Sequence, residues 1–215
     1  MRIDENILTL ARGLALPEKS KSNHRLYDYL HFKRNINSKI IHTLIQEEMI
    51  YEDTRGNVVF VGYGEYSKPR FACLLGTHGD CSFHNEYLGD KRYGFGVTAA
   101  VPSERLYIFK SAIDLMSHGS IENFYELDDD EWLQHHRLSL SGTSDDALPF
   151  FLNQHDEVKE FVFCLDNDPA GREAANKMAG KYDEKGYLVQ LEFPHNKDYS
   201  EDLQGFRISR RQYMP

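Results

Sequence analysis

The sequence predicts an α/β fold: a mostly parallel four-stranded sheet flanked by helices, preceded by a small α+β region. Three observations lead there. After residue 100, apolar runs of strand length alternate with stretches of helical spacing, which implies right-handed crossovers and a parallel sheet. Before residue 100, helical spacing gives way to short strand-like runs around a turn. Between them in weight stands Phe161 to Ala175, FVFCLDNDPAGREAA, in which five apolar residues run straight into Asp166-Asn167-Asp168 and Pro169 opens a helical pattern.

Composition supports a folded domain and excludes some functions. The chain has 215 residues, 40% of them hydrophobic, with 13 Tyr and 13 Phe, enough for a real core. No run approaches the roughly 18 apolar residues of a membrane span, and no signal peptide is visible, so no membrane partner is expected. Cys73, Cys81 and Cys164 are an odd set with no CxxC pair, which points to a reducing cytoplasm rather than a disulfide framework. A net charge of −9 argues against non-specific coating of nucleic acid. The charge is uneven, however. Residues 1–45 hold eight Lys and Arg against four Asp and Glu. That excess fits a nucleic-acid partner or simply solvated helix faces.

The elements follow in order. Residues 1–22 read as an arm or linker, 23–100 as an α+β accessory domain, 101–206 as the α/β domain and 207–215 as a C-terminal tail. Arg25 to Phe32 suits a short helix. Ile36, Ile40, Ile41, Leu44, Ile45 and Met49 recur at helical spacing, with Asn37 or Ser38 as cap. Ile50 to Glu52 and Val58 to Tyr63 read as a hairpin around Arg55-Gly56-Asn57, and Phe71 to Leu75 as a third strand. Glycine-rich Gly76 to Gly96 reads as a long loop. Its His78, Cys81 and His84 are a weak zinc signal with no fourth ligand nearby.

In the second half, Arg105 to Phe109, Leu138 to Leu140, Phe161 to Leu165 and Tyr187 to Phe193 are the four strands. The helices lie at Ala112 to His118 (ended by Gly119), near Ala147 to Leu152, and from Pro169 to just before Gly186. In an open parallel sheet, ligands bind beyond the carboxyl ends of the strands. Lys110-Ser111, Ser141-Gly142-Thr143, Asp166-Asn167-Asp168 and the loop Pro194 to Asp198 all leave those ends. Magnesium takes oxygen ligands, typically one or two carboxylates plus substrate phosphates. Asp166 and Asp168 suit that role, with Asp198 as an outer acid and Lys110 and Lys197 facing phosphate or the acids. Taken alone, Asp168 before Pro169 reads first as the cap of the helix, and it is the pair with Asp166 that points to a metal.

These residues resemble the Toprim domain of bacterial primases, topoisomerases and related nucleases. LSLSGTS (Leu138 to Ser144) looks like its middle glycine turn. CLDNDPAGREAA (Cys164 to Ala175) matches its Asp-x-Asp motif, including the Pro-Ala-Gly continuation. HNKDYSEDL (His195 to Leu203) is similar to the closing Lys-Asp-aromatic segment of primase-like members. LYIFKSAIDLMS (Leu106 to Ser117) looks like the first motif, but Lys110 stands where the family has a glutamate. Asp114 matches an acid one turn later. The front half, YLHFKRNINSKIIHTLIQEEMIYED, GNVVFVGY and GDKRYGF, resembles an uncharacterised domain found before Toprim domains in mobile-element and phage proteins. The zinc-binding segment often found upstream in such proteins has no matching cysteine/histidine set here.

The resemblance implies a primase-like role in replication of a phage or mobile element, with Mg²⁺ or Mn²⁺ as cofactor. DNA or RNA and nucleotides are the implied substrates or partners, with a replication helicase or relaxase-type protein as a further partner. Asp166, Asp168 and Lys110 are the implied catalytic residues, and Asp166, Asp168 and Asp198 the metal set. Lys33, Arg34, Lys91, Arg92 and Lys197 are the candidate nucleic-acid contacts. Primer synthesis, phosphodiester cleavage and binding without turnover all remain open, because Lys110 cannot act as an anionic base or bind a cation while protonated.

Overall fold

The computed structural model describes residues 13–213, apart from 78–85, 127 and 129. The first 12 residues of the expected arm and the His78, Cys81 and His84 set lie outside the described residues.

The front region opens with α1 (His24–Tyr27), which passes into a π-helical turn over Asp28–Lys33. Helix α2 (Ser38–Gln46) follows, and the Asn37 side chain caps it by accepting from Lys39 N at 2.8 Å. Its Ile40, Ile41 and Leu44 are buried, as the spacing predicts. Strands β1 (Ile50–Glu52), β2 (Val58–Tyr63), β3 (Pro69–Leu75) and β4 (Glu86–Gly89) form an antiparallel sheet in that order. The turn between β1 and β2 uses Gly56 at φ 84°, a left-handed conformation that suits glycine.

The second sheet has the order β5-β7-β6-β8-β9. Its strands are β5 (Phe95–Val97), β6 (Arg105–Phe109), β7 (His136–Ser139), β8 (Glu160–Cys164) and β9 (Leu188–Leu191). The four expected strands, β6 to β9, run parallel. The correction is a fifth strand: β5 pairs antiparallel with β7. Both β4 and β5 arise around the stretch read as a loop. Glycine there serves close backbone approach rather than a free loop. A Cβ on Gly62 would sit 2.4 Å from Gly94 O, where the two sheets meet.

Helices α3 (Ala112–Glu126), α4 (Ala147–Gln154), α5 (Pro169–Asp183) and α6 (Tyr199–Tyr213) complete the fold. Side-chain alternation along the strands sorts them onto two faces. Tyr107, Phe109, Val162 and Cys164 join Leu115, Met116 and Tyr199 of α3 and α6 in one core. Leu106, Ile108, Phe161 and Phe163 join Leu148, Phe151, Ala175 and Tyr182 of α4 and α5 in another. The first core continues into the front region through Phe60, Phe71 and Phe95, with Phe60 and Phe95 edge to face at 5.3 Å.

Two helix predictions need correction. Helix α3 does not stop at Gly119 but continues to Glu126. Gly119 is a packing contact instead: a Cβ there would lie 2.9 Å from Trp132 Cβ. Helix α6, unforeseen, runs on to Tyr213 through the segment read as a tail.

Candidate metal and phosphate site at the sheet edge

The chain leaves β6 for β7 on one side and returns to β8 on the other, so β6 and β8 flank the point where strand order reverses. Such switch points are where open α/β sheets bind ligands. Phe109 pairs in register with Cys164, which places Lys110 and Asp166 side by side just beyond the strand ends.

Lys110 Nζ donates to Asp166 Oδ2 at 2.5 Å. Asp166 is buried and the Lys110 side chain is 36% exposed. Burial alone would lower the Lys110 pKa, but the Asp166 hydrogen bond and the charges of Asp166, Asp168 and Asp114 hold it above its ordinary value. Burial raises the Asp166 carboxyl. The Lys110 contact works against that, and repulsion from Asp198 and Asp168 adds to it, leaving Asp166 above the usual carboxylate range.

Asp168 caps α5, accepting from Gly171 N at 2.7 Å. That bond, aided by Lys110 and Lys197, holds its pKa below the ordinary value despite some desolvation. The structure thus gives Asp168 the capping role through Oδ1. Gly171 has no room for a side chain, since a Cβ would meet Asp166 O at 2.3 Å. This tight turn joins the strand end to the helix.

Asp198 likewise caps α6 by accepting from Glu201 N at 2.8 Å. Asp114, on the first turn of α3, accepts from Ser111 Oγ at 2.5 Å. Burial pushes it up to about 7, opposed by Ser111 and reinforced by Asp198 and Asp166. Asp114 was foreseen as an orienting acid; its burial within reach of the Asp166 and Asp198 charges was not. The glycine turn joins the same edge. Gly142 N donates to Lys110 O at 3.0 Å, and Ser141 adopts φ 53°.

Asn167, between the two aspartates, was given no role from sequence. Its N–H donates to Lys197 O at 2.8 Å and its Nδ2 to Pro194 O at 3.0 Å. It ties the closing loop to the Asp-x-Asp turn. Lys197 itself is exposed beside Asp168.

Of the remaining candidate contacts, Arg34 reaches the start of α6 beside this edge, since the Ser200 it bonds also donates its backbone N–H to Asp114. Lys33 is exposed at the end of the π-helical turn. Arg34 bonds Tyr29 Oη at 2.8 and 2.7 Å and Ser200 Oγ at 3.3 Å, joining the front region to α6. Lys39 pairs with Asp130 at 2.7 Å. Arg92 pairs with Asp90 at 2.5 Å, and Lys91 Nζ stands 4.0 Å from the Tyr87 ring centroid.

Sequence reasoning also missed a buried polar network behind the site. Arg137, fully buried on β7, donates to Trp132 O at 2.6 Å and His118 Nδ1 at 2.9 Å, and pairs with Glu122. With Nδ1 accepting, His118 Nε2 donates to Glu192 Oε1 at 3.1 Å, which also accepts from Tyr199 at 3.1 Å. An arginine inside the apolar run HRLSL was the only signal in the sequence.

Asp166, Asp168 and Asp198 offer carboxylate oxygens, the ligand type that a hard divalent ion such as Mg²⁺ takes. Lys110 already supplies one positive charge to Asp166.

The region that carries this arrangement is Toprim-like. Residues 107–203 match the family described as Toprim-like, and residues 28–97 match a family described as a protein of unknown function (DUF3991). Among solved structures, the primase fragment of the bacteriophage T7 primase-helicase is similar at TM-score 0.56 and 14% identity, over 84% of this chain and 72% of that one. The RNA polymerase domain of Mycobacterium tuberculosis primase gives TM-score 0.52 at 10% identity, over 90% and 76%. The zinc-binding and RNA polymerase domains of Aquifex aeolicus primase give 0.51 at 14%, over 96% and 54%. These likenesses establish the fold. No curated protein matches the chain.

Proposed function

We propose that the protein acts on nucleic acid in a primase-like role, in replication of a phage or mobile element, with phosphates meeting the β6/β8 edge. The observation that carries this reading is the meeting of Lys110, Asp114, Asp166, Asp168 and Asp198 at the switch point of a Toprim-like sheet. Asp168 and Asp198 would hold Mg²⁺ or Mn²⁺ with Asp166, and the ion would neutralise phosphoryl charge. Lys110 opposes the upward shift that burial gives Asp166 and presents a cation toward phosphate. Asp114, close to half-protonated near pH 7, donates or accepts a proton at its carboxyl without adding a full charge. Nucleotides, DNA or RNA are the substrate class, and a replicative helicase is a fitting partner for a cytoplasmic protein of this kind.

A second reading is favoured by one observation. The 2.5 Å Lys110–Asp166 pair fills the position of an acid with a cation. On that reading the domain binds nucleic acid or nucleotide without turnover. Titration with Mg²⁺ or Mn²⁺ tests the metal site in both. Saturable binding that Asp168→Asn and Asp166→Asn weaken supports the first reading. Nucleic-acid binding with no divalent-ion dependence supports the second and overturns the first.

A further inference from the structure

Among the described residues, two clusters of His, Cys and Glu side chains have ligand atoms close enough to hold a metal ion. The first, His118, Cys164 and Glu192, belongs to the Arg137 network, with His118 and Cys164 buried and Glu192 exposed. Its His118 Nδ1 is already an acceptor for a guanidinium 2.9 Å away, and a cation there would meet that charge unshielded. The second cluster has no such obstacle. His136, His155 and Glu157 sit at the opposite edge of the sheet, where β7 begins and where the loop from α4 enters β8.

Glu157 Oε1 is 3.2 Å from His136 Nε2 and 3.1 Å from His155 Nδ1. The two imidazoles lie 4.6 Å apart, centroid to centroid. Ligands about 2.0–2.1 Å from a tetrahedral ion stand roughly 3.3 Å from one another, so the two measured spacings are those of a tetrahedral edge. Ser103 O, 3.2 Å from His136 Nε2, lies at the same spacing. His136 is buried, whereas Glu157 is 42% exposed and His155 lines an open groove of about 660 Å³. An ion and its water therefore have a route in.

The geometry points to a transition-metal site of His136, His155 and Glu157, suited to Zn²⁺ and distinct from the acidic edge. Two nitrogens and one carboxylate oxygen are a borderline donor set, which zinc prefers and magnesium does not. Burial and the neighbouring His155 hold His136 below its ordinary pKa, and Glu157 is also held low, first by its own backbone N–H. One contact must give way. Ala99 N–H donates to His136 Nδ1 at 3.3 Å, and coordination through Nε2 moves the imidazole proton to Nδ1. Ala99 is only half-buried, so its N–H turns to water. The bound ion would fasten three segments at the lower sheet edge: the loop before β6, the start of β7 and the loop before β8.

The test is a Zn²⁺ titration of the full chain against a chromophoric chelator, repeated with Co²⁺ to read four-coordinate absorption. The expected result is one saturable site that Asp166→Ala and Asp168→Ala leave unchanged. Glu157→Gln and His155→Ala should each weaken it at least about tenfold, the loss that even outer-shell substitutions cause. Both side chains reach solvent, so neither variant is expected to unfold. Absence of saturable Zn²⁺ binding overturns the proposal. So does binding that survives both substitutions but is lost in Cys81→Ser or in Asp168→Ala. Mg²⁺ binding reports separately on the acidic edge, so the two ideas can fail independently.

Discussion

Lys110 Nζ and Asp166 Oδ2 meet at 2.5 Å just past the ends of two register-paired parallel strands. Their pairing puts an ammonium beside the carboxylates of this edge. Lys110→Glu removes that cation and adds a ligand, and it is expected to raise Mg²⁺ or Mn²⁺ affinity, read by calorimetry. Unchanged or weaker binding would remove Lys110 from the metal site. Lys110→Met, which leaves Asp166 unpaired, should cost roughly 1–2 kcal/mol in urea unfolding at pH 7, less than a fully buried pair because Lys110 is partly solvated.

Asp114 carries a pH prediction. Its folded pKa, up to about 7, lies above its ordinary value, so the folded chain binds more protons than the unfolded one between about pH 4 and 7. Stability from this group is therefore lost as pH rises through that window, and Asp166, shifted the same way, adds to the loss. Asp114→Asn, an uncharged isostere, should be more stable than the parent at pH 8 and nearly equal at pH 4. Parallel stability curves for the two proteins would refute this.

Asp168 has two roles that two substitutions separate. Asp168→Asn keeps a capping side chain and removes the charge, so stability should hold while divalent-ion affinity falls. Asp168→Ala removes both and should cost about 1 kcal/mol of stability as well. If both variants lose equal stability, the cap on Gly171 N is not what Asp168 contributes.

Gly171→Ala tests the close approach of helix to strand end. The new Cβ would collide with Asp166 O at 2.3 Å, backbone that cannot step aside without moving Asp166. Overpacking of this kind costs typically about 1–3 kcal/mol. Thermal unfolding should show that loss, with weakened metal binding beside it.

Much of this was legible in the chain. The strands Arg105–Phe109 and Val58–Tyr63 were read to the residue, because apolar runs of that length between turn signals have few other uses. The Asp-x-Asp turn, the Asn37 cap and the sheet edge that gathers the acids were legible for the same reason: they depend on local spacing. The short strands β4 and β5 were not, since glycine marks a close approach and a loop alike. Gly119 misled similarly, because only the position of Trp132 shows why a helix would keep it.

By itself, then, the sequence determined the alternation of strands and helices, and with it two aspartates at the mouth of a helix. Period, turn chemistry and chain order suffice for that. Tertiary structure alone decided the charge state of the site. Whether a carboxylate is an open ligand, a helix cap, a partner of a lysine or a half-protonated acid depends on burial and on neighbours far away in the chain. Asp166 and Lys110 are 56 residues apart, and Asp198 is further still. Electrostatic energy follows distance through space and access to water, and neither is written in the order of residues.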